Sequence, residues 1–141
     1  IRRLLLGIKD NLSQDKLESL TSVAIKKMSN DYTIRYLLVE IKDNISQNKL
    51  EELASIAIDK MSDNHAIRYL LENIKDKFSS EKPEQLKHLY ELASIAINKM
   101  SDNGAISDLL VNINENLSTI QLENLRDQIN PETPKACCTI M

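Results

Sequence analysis

The chain contains 141 residues, of which 42% are hydrophobic and 28% are charged, a composition typical of one soluble globular domain. Its formal net charge of −3 disfavours a nucleic-acid partner, because phosphate binding requires a concentrated basic surface. The apolar runs are too short to span a membrane, and the presence of only two glycines and three prolines predicts an all-α protein.

The first residues already belong to a repeat, because the sequence KDN at positions 9–11 recurs at positions 42–44. The chain begins at Ile1, inside the first helix of this repeat and not ahead of it. We therefore expect the sequence to be part of a longer protein, in which a targeting signal or a catalytic domain would precede Ile1.

Longer matches give the length of the repeat. The sequence IRYLL at 34–38 returns at 67–71, which sets a period of 33 residues. The sequence LASIAI at 53–58 returns at 92–97, and this offset of 39 places a six-residue insertion near residues 81–87. No tetratricopeptide or ankyrin motif accompanies the period, so we assign no named repeat family.

Each unit contains two apolar stretches with the spacing of a single helical face. In the second unit these positions are Ile34, Leu37, Leu38, Ile41 and Ile45, followed by Leu50, Leu53, Ala54, Ala57 and Met61. A serine able to cap free N–H groups stands before each second stretch, and the last of these serines forms a capping box with Gln121. These serines are Ser13, Ser46, Ser79 and Ser118.

The pattern predicts about eight helices in four hairpins, and Asp63-Asn64 and Asp102-Asn103 mark the return turns between units. Because short connections make neighbouring helices antiparallel, we predict that residues 1–129 form one α-helical repeat domain, either an α-solenoid or a curved bundle. The predicted helices cover about 1–11, 14–29, 33–44, 47–62, 66–77, 80–101, 105–116 and 118–129.

Residues 130–141 are predicted to form an extended tail, because the helical periodicity stops and Pro131 and Pro134 prevent a helix from continuing. The tail ends in the sequence CTIM at 138–141, which resembles the C-a-a-X box of prenylated proteins. Such a box acts only at a free C-terminus, so the prediction applies to a protein whose last residue is Met141.

The resemblance implies that Cys138 is farnesylated by a farnesyltransferase, since a methionine at the last position favours farnesyl over geranylgeranyl. The enzyme would recognise Cys138, Thr139, Ile140 and the carboxylate of Met141. In similar proteins, removal of the last three residues and methylation of the new carboxylate follow.

A single isoprenoid binds a membrane only marginally, so a second signal is usually required. Lys135 is the sole basic residue of the tail, which leaves Cys137, beside the box, as the candidate for S-palmitoylation. The alternative is a disulfide between Cys137 and Cys138, which a reducing cytosol disfavours.

The box and a body rich in Ile, Asn and Lys resemble secreted effectors of intracellular bacteria, which borrow the host farnesyltransferase. This resemblance implies a membrane-anchored protein-interaction module on the cytoplasmic face of a host membrane. A prenyl-binding carrier protein would be an accessory partner, and the repeats would bind a protein that the sequence does not identify. The alternatives are the targeting module of a longer enzyme and a soluble helical scaffold with an accidental box.

Other features are weighed against simpler interpretations. His65 and His88 lie in different units, without a cysteine or carboxylate cluster at ligand spacing, so we predict no metal site, no cofactor and no enzyme. Asn11, Asn44 and Asn116 match the glycosylation sequon, but all three lie at the same turn of the repeat, where capping explains them better.

Several residues recur at one position of the repeat. Tyr36 and Tyr69 either contact a partner or pack against the next hairpin, and Arg35 and Arg68 beside them are predicted to be solvated surface charges. The recurring methionines, predicted to pack in the core, are Met28, Met61 and Met100.

Overall fold

A computed structural model describes residues 7–78 and 81–129. Within these ranges it contains seven α-helices and no strand, which confirms the all-α prediction. The helices are α1 (Gln14–Lys27), α2 (Asp31–Ile41), α3 (Gln47–Lys60), α4 (Asn64–Ile74), α5 (Pro83–Lys99), α6 (Asn103–Ile113) and α7 (Thr119–Ile129). Single 3₁₀ turns cover Lys9–Asn11, Lys75–Lys77 and Asn114–Asn116.

The helix predicted at 1–11 falls mostly outside the described residues; of it, Gly7 and Ile8 are helical and a 3₁₀ turn follows. The other seven predicted helices are present with shifted ends. Helices α1, α3 and α5 stop two residues before their predicted ends because the recurring methionine after each takes an extended backbone, with ψ of 142, 145 and 141°. This turn directs the methionines Met28, Met61 and Met100 into the core, where 7%, 0% and 7% of each remain exposed.

Helices α2, α4 and α6 start two residues earlier than predicted. The cause is a side-chain cap that belongs to the return turn itself: Asp63 accepts hydrogen bonds from the N–H groups of His65 and Ala66 at 2.9 and 3.0 Å. Asp102 and Asn30 cap α6 and α2 in the same way. The residues predicted to mark the turn therefore also begin the helix.

Three of the four predicted serine caps lie within the described residues, and all three begin a helix. Ser13 and Ser46 accept hydrogen bonds from the backbone N–H three residues ahead, at 3.3 and 3.2 Å. Ser118 and Gln121 exchange two hydrogen bonds of 3.0 and 3.2 Å, which confirms the capping box.

The predicted cap at Ser79 lies outside the described residues, and the start assigned to its helix at residue 80 was wrong. Helix α5 begins at Pro83, with Lys82 as an N-cap that makes no side-chain hydrogen bond. Proline suits this first helical position because its missing N–H would have no partner there and its φ is already helical. The six-residue insertion therefore delays the helix.

Helices two places apart in the chain pack side by side, so the hairpins stack into two layers. Layer A contains α2, α4 and α6, and layer B contains α1, α3, α5 and α7. Each helix thus packs mainly on its counterpart in the next unit, which is the arrangement expected of stacked helical hairpins.

Hydrogen bonds connect the turns and helix ends of neighbouring units. The Asp31 carboxylate accepts hydrogen bonds from the N–H groups of Ser62 and Asp63 at 2.9 and 2.8 Å, and Asn64 holds the equivalent turn of the next unit. In layer B, the Lys60 ammonium reaches back to the carbonyls of Ile25 and Lys26, both at 2.8 Å. Each unit thus completes the turns and helix ends of its neighbour.

Candidate functional site

The predicted lipidation site lies outside the described residues. Helix α7 ends at Ile129, so the tail at 130–141 begins one residue beyond it. The predictions for Cys137, Cys138, Thr139, Ile140 and Met141 therefore stay predictions. Across the part of the chain that the structure describes, no helix is both long and apolar enough to cross a membrane.

Layer A carries a row of aromatic and cationic side chains, which we call the Tyr-Arg ladder. It consists of Tyr32, Arg35, Tyr36, Arg68 and Tyr69. The side chain of Arg68 in this row is only 13% exposed, so the prediction of a solvated charge was wrong for that residue. The three tyrosines are 44%, 46% and 37% exposed, whereas the leucines on the opposite side of the same helices are buried. Both alternatives for these tyrosines stay open, because Tyr36 and Tyr69 reach the surface while the Tyr69 ring also lies 5.4 Å from Arg35 of the neighbouring hairpin.

The ladder forms because residues three and four apart share a helical face, and α2 lies beside α4. The Arg35 guanidinium lies 4.3 Å from the ring centre of Tyr36 and 5.4 Å from that of Tyr69 on the next helix. Arg68 continues the row, 4.5 Å from the ring of Tyr69. These distances are within the range of attractive cation-π contacts.

The two arginines of the ladder differ in their charge partners. Arg68 pairs with Asp108 at 2.7 Å and lies 3.4 Å from Glu72, whose pKa is raised by burial although Arg68 opposes the shift. No carboxylate among the described residues forms an ion pair with Arg35. The reason lies in the repeat, since Val39 occupies the place of Glu72 and Tyr69 that of Asp108.

Tyr32, which the sequence reasoning did not single out, borders the ladder. Its hydroxyl donates a hydrogen bond to Asp63 at 3.2 Å. Loss of hydration, followed by the nearby Asp63 carboxylate, raises the pKa of Tyr32. No sequence repeat could reveal it, because Tyr32 has no counterpart at His65 or Gly104.

A second cluster lies on layer B. The ligand atoms of Glu51, His88 and Glu91 all lie within 4.8 Å of one another, and His88 Nδ1 is 2.8 Å from Glu51 Oε1. The premise that no carboxylates surround His88 was therefore wrong. The sequence signal was available, since His88 and Glu91 follow Glu51 by 37 and 40 residues, close to the offset of 39 between these units, and stacking in register brings such residues together.

A groove of about 380 Å³ lies between α6 and α7 at the C-terminal side of the described domain. It is lined by Ser107, Leu110, Val111, Asn114, Arg126 and Ile129. The sequon residues Asn11, Asn44 and Asn116 lie in the turns before the second helix of each unit, as predicted.

Comparison with known proteins finds no matching protein family, no similar curated protein and no similar solved structure. Functional argument for this chain therefore rests on its own residues.

Proposed function

We propose that this chain is a membrane-anchored protein-interaction module, whose layer A binds a partner protein and whose tail carries a farnesyl group on Cys138. The module would act on the cytoplasmic face of a eukaryotic membrane. Secretion by an intracellular bacterium is the source that best fits a farnesylation box on this type of repeat.

The observation that carries the interaction proposal is the exposure of the Tyr-Arg ladder. Tyrosine and arginine are enriched among the residues that contribute most to protein interfaces, because they bury large areas and still form polar contacts. Tyr36 and Tyr69 are 46% and 37% exposed, and Arg35 between them is held by stacking. A partly ordered side chain loses less conformational entropy when a partner binds.

The chemistry of the ladder also specifies the kind of partner. Arg35 stacks on rings and forms no ion pair with a described carboxylate; because its Nε is buried, a partner carboxylate would pair with the terminal nitrogens of the guanidinium. The exposed parts of the neighbouring tyrosines would contact aliphatic side chains. We therefore propose a protein segment in which a glutamate or aspartate is flanked by aliphatic residues.

The lipid part of the proposal rests on the box at 138–141. The Cys138 thiolate would attack carbon 1 of farnesyl diphosphate, forming a thioether and releasing diphosphate, while the thiol proton passes to solvent or enzyme. One farnesyl group gives reversible anchoring, and acylation of Cys137 would supply the second signal. A prenyl-binding carrier would shield the lipid between membranes.

Binding to the ladder can be tested with the full chain expressed in eukaryotic cells. Proteins captured by the wild type would be compared with those captured by Arg35→Glu and by the control Lys87→Glu, which reverses an exposed charge on layer B. We expect a specific partner to bind the wild type and the control, and to bind Arg35→Glu more weakly by roughly tenfold or more. Equal binding by all three proteins would contradict the assignment of the ladder.

A charge exchange then tests the chemistry of the partner. In the purified complex, replacing the partner's acidic residue with lysine is expected to weaken binding to the wild type and to restore binding to Arg35→Glu. The affinities would be measured by isothermal titration calorimetry. Failure of restoration at every acidic residue of the bound segment would contradict a carboxylate partner.

A further inference from the structure

We propose that Glu51, His88 and Glu91 form a binding site for a divalent transition-metal ion, with zinc as its probe, at the boundary between the second and third units. Glu51 lies on α3, and His88 and Glu91 lie one turn apart on α5. The site would clamp two helices of layer B that are neighbours in space.

The donor set suits such an ion. Imidazole nitrogen and carboxylate oxygen are both ligands of zinc, and a histidine with two carboxylates leaves coordination positions for water. The ligand atoms lie within 4.8 Å of one another, so side-chain rotations alone can bring them to one ion. His88 and Glu51 retain 31% and 22% side-chain exposure, which leaves a path for entry.

The contact between His88 and Glu51 is not satisfied as a hydrogen bond. His88 Nδ1 lies 2.8 Å from Glu51 Oε1, but the approach lacks the direction of a hydrogen bond and the nitrogen is itself buried. The Glu51 carboxylate is therefore its charged neighbour without being a hydrogen-bond acceptor for it. A metal ion would use the lone pair of this nitrogen and neutralise the carboxylates around it.

The repeat supplies an internal comparison. The positions of Glu51, His88 and Glu91 correspond to those of Glu18, Lys49 and Glu52 one unit earlier.

In that earlier cluster the Lys49 ammonium lies 3.4 Å from Glu52 and attracts Glu18, whose carboxylate also accepts a hydrogen bond of 2.8 Å from the Ser46 N–H. The lysine provides the positive charge between two carboxylates. An ammonium has no lone pair with which to bind a metal.

At the later boundary the cation between the carboxylates changes. Histidine replaces the lysine, which exchanges a fixed cation for a metal-binding imidazole. A divalent cation would restore the charge balance that Lys49 provides one unit earlier.

The test uses the full chain with Cys137→Ser and Cys138→Ser, because thiols outside the described residues also bind zinc. Calorimetric titration with zinc chloride and thermal unfolding with zinc or with a chelator would be measured. We expect one zinc ion to bind per chain and the midpoint temperature of thermal unfolding to be higher with zinc than with the chelator. His88→Lys, which installs the residue of the earlier unit, should bind zinc roughly tenfold or more weakly than the wild type.

Two further variants make the outcome decisive. Glu91→Gln changes an exposed residue and should weaken zinc binding without unfolding, whereas His65→Gln, remote from the cluster, should leave it unchanged. Lys49→His should add a second site by copying the later cluster onto the earlier one. The proposal is overturned if zinc does not bind the unsubstituted site, or if it binds His88→Lys and Glu91→Gln as tightly as the wild type.

Discussion

Thr21 occupies a core position of layer B that the second and third units fill with alanine. It is fully buried, and its hydroxyl has no hydrogen-bond partner among the described residues. The equivalent residues Ala54 and Ala93 are buried to the same degree. Removing an unsatisfied hydroxyl recovers its desolvation cost, so Thr21 weakens the first unit.

We therefore expect Thr21→Ala to raise the free energy of unfolding by about 0.5–1 kcal/mol, since alanine also has the higher helix propensity. Thr21→Val keeps the shape while removing the hydroxyl, and should not lower stability by more than a few tenths of a kcal/mol. Urea denaturation followed by circular dichroism measures both. A loss of 1 kcal/mol or more in both variants would show that the hydroxyl has a stabilising partner.

The Asp63 carboxylate has two roles, since it caps α4 and accepts a hydrogen bond from Tyr32, while the backbone N–H of Asp63 donates to Asp31. The hydrogen bond from the Ala66 N–H is the largest cause of its lowered pKa. Because the folded pKa lies below the unfolded value near 3.9, the stabilisation is complete above that value and disappears as the pH falls through the folded pKa.

Asp63→Ala is expected to cost about 1–2 kcal/mol at pH 7, which is the usual cost of losing an N-cap. The deficit relative to the wild type should shrink as the pH falls below about 4. Denaturation curves across the acidic range measure this difference. A deficit that stays constant down to pH 2 would contradict the role of the ionised carboxylate.

At the scale of helices, lysines from adjacent units complete the helix ends. Lys60 donates to carbonyls at the end of α1, and Lys99 donates to the Asp59 carbonyl of α3 at 2.7 Å. In layer A, Lys42 and Lys75 donate to carbonyls near the ends of α4 and α6, both at 2.6 Å. A cation at a helix C-terminus also opposes the negative end of the helix dipole.

Lys60→Met keeps the aliphatic stem of the side chain and removes the cation, so we expect a loss of about 1–2 kcal/mol. Lys87→Met, at an exposed position of α5, should change stability by less than about 0.5 kcal/mol. The midpoint of guanidinium denaturation would be measured for both variants, and it should be lower for Lys60→Met than for Lys87→Met. Equal midpoints would mean that the lysine contacts between units add nothing to stability.

The helix boundaries show what the apolar pattern could and could not predict. Periodicity located the buried faces, because burial depends on the spacing of side chains along a helix. Periodicity predicted that α3 continues to residue 62, whereas the helix ends at Lys60 and Met61 has an extended backbone. The pattern missed this end because a buried methionine also fits helical spacing. The start of α5 was misplaced because Ser79 matched the cap of other units while Pro83 determined the start.

For the whole molecule, the repeat predicted the stacking of hairpins but not the properties of its surfaces. The core repeats because each unit must bury the same apolar face, whereas surface residues vary between units. Arg35 lacks the carboxylates of Arg68 for this reason, and His88 meets Glu51 only through stacking. Sequence reasoning considered each histidine alone, so it missed a cluster formed by two units.

If the tail carries a lipid, the Tyr-Arg ladder would be concentrated at a membrane surface. Tethering raises the effective concentration of a binding surface for partners on the same membrane. An interaction that is weak in solution would then suffice, which suits a ladder with three exposed tyrosines.

The central claim is tested most directly by the intact mass of the protein expressed in eukaryotic cells, measured beside Cys138→Ser and the control Cys137→Ser. We expect the wild type and Cys137→Ser to gain one farnesyl group and to lose the last three residues, and Cys138→Ser to keep its unmodified mass. A wild-type chain that ends in Met141 and carries no lipid would contradict membrane anchoring through Cys138.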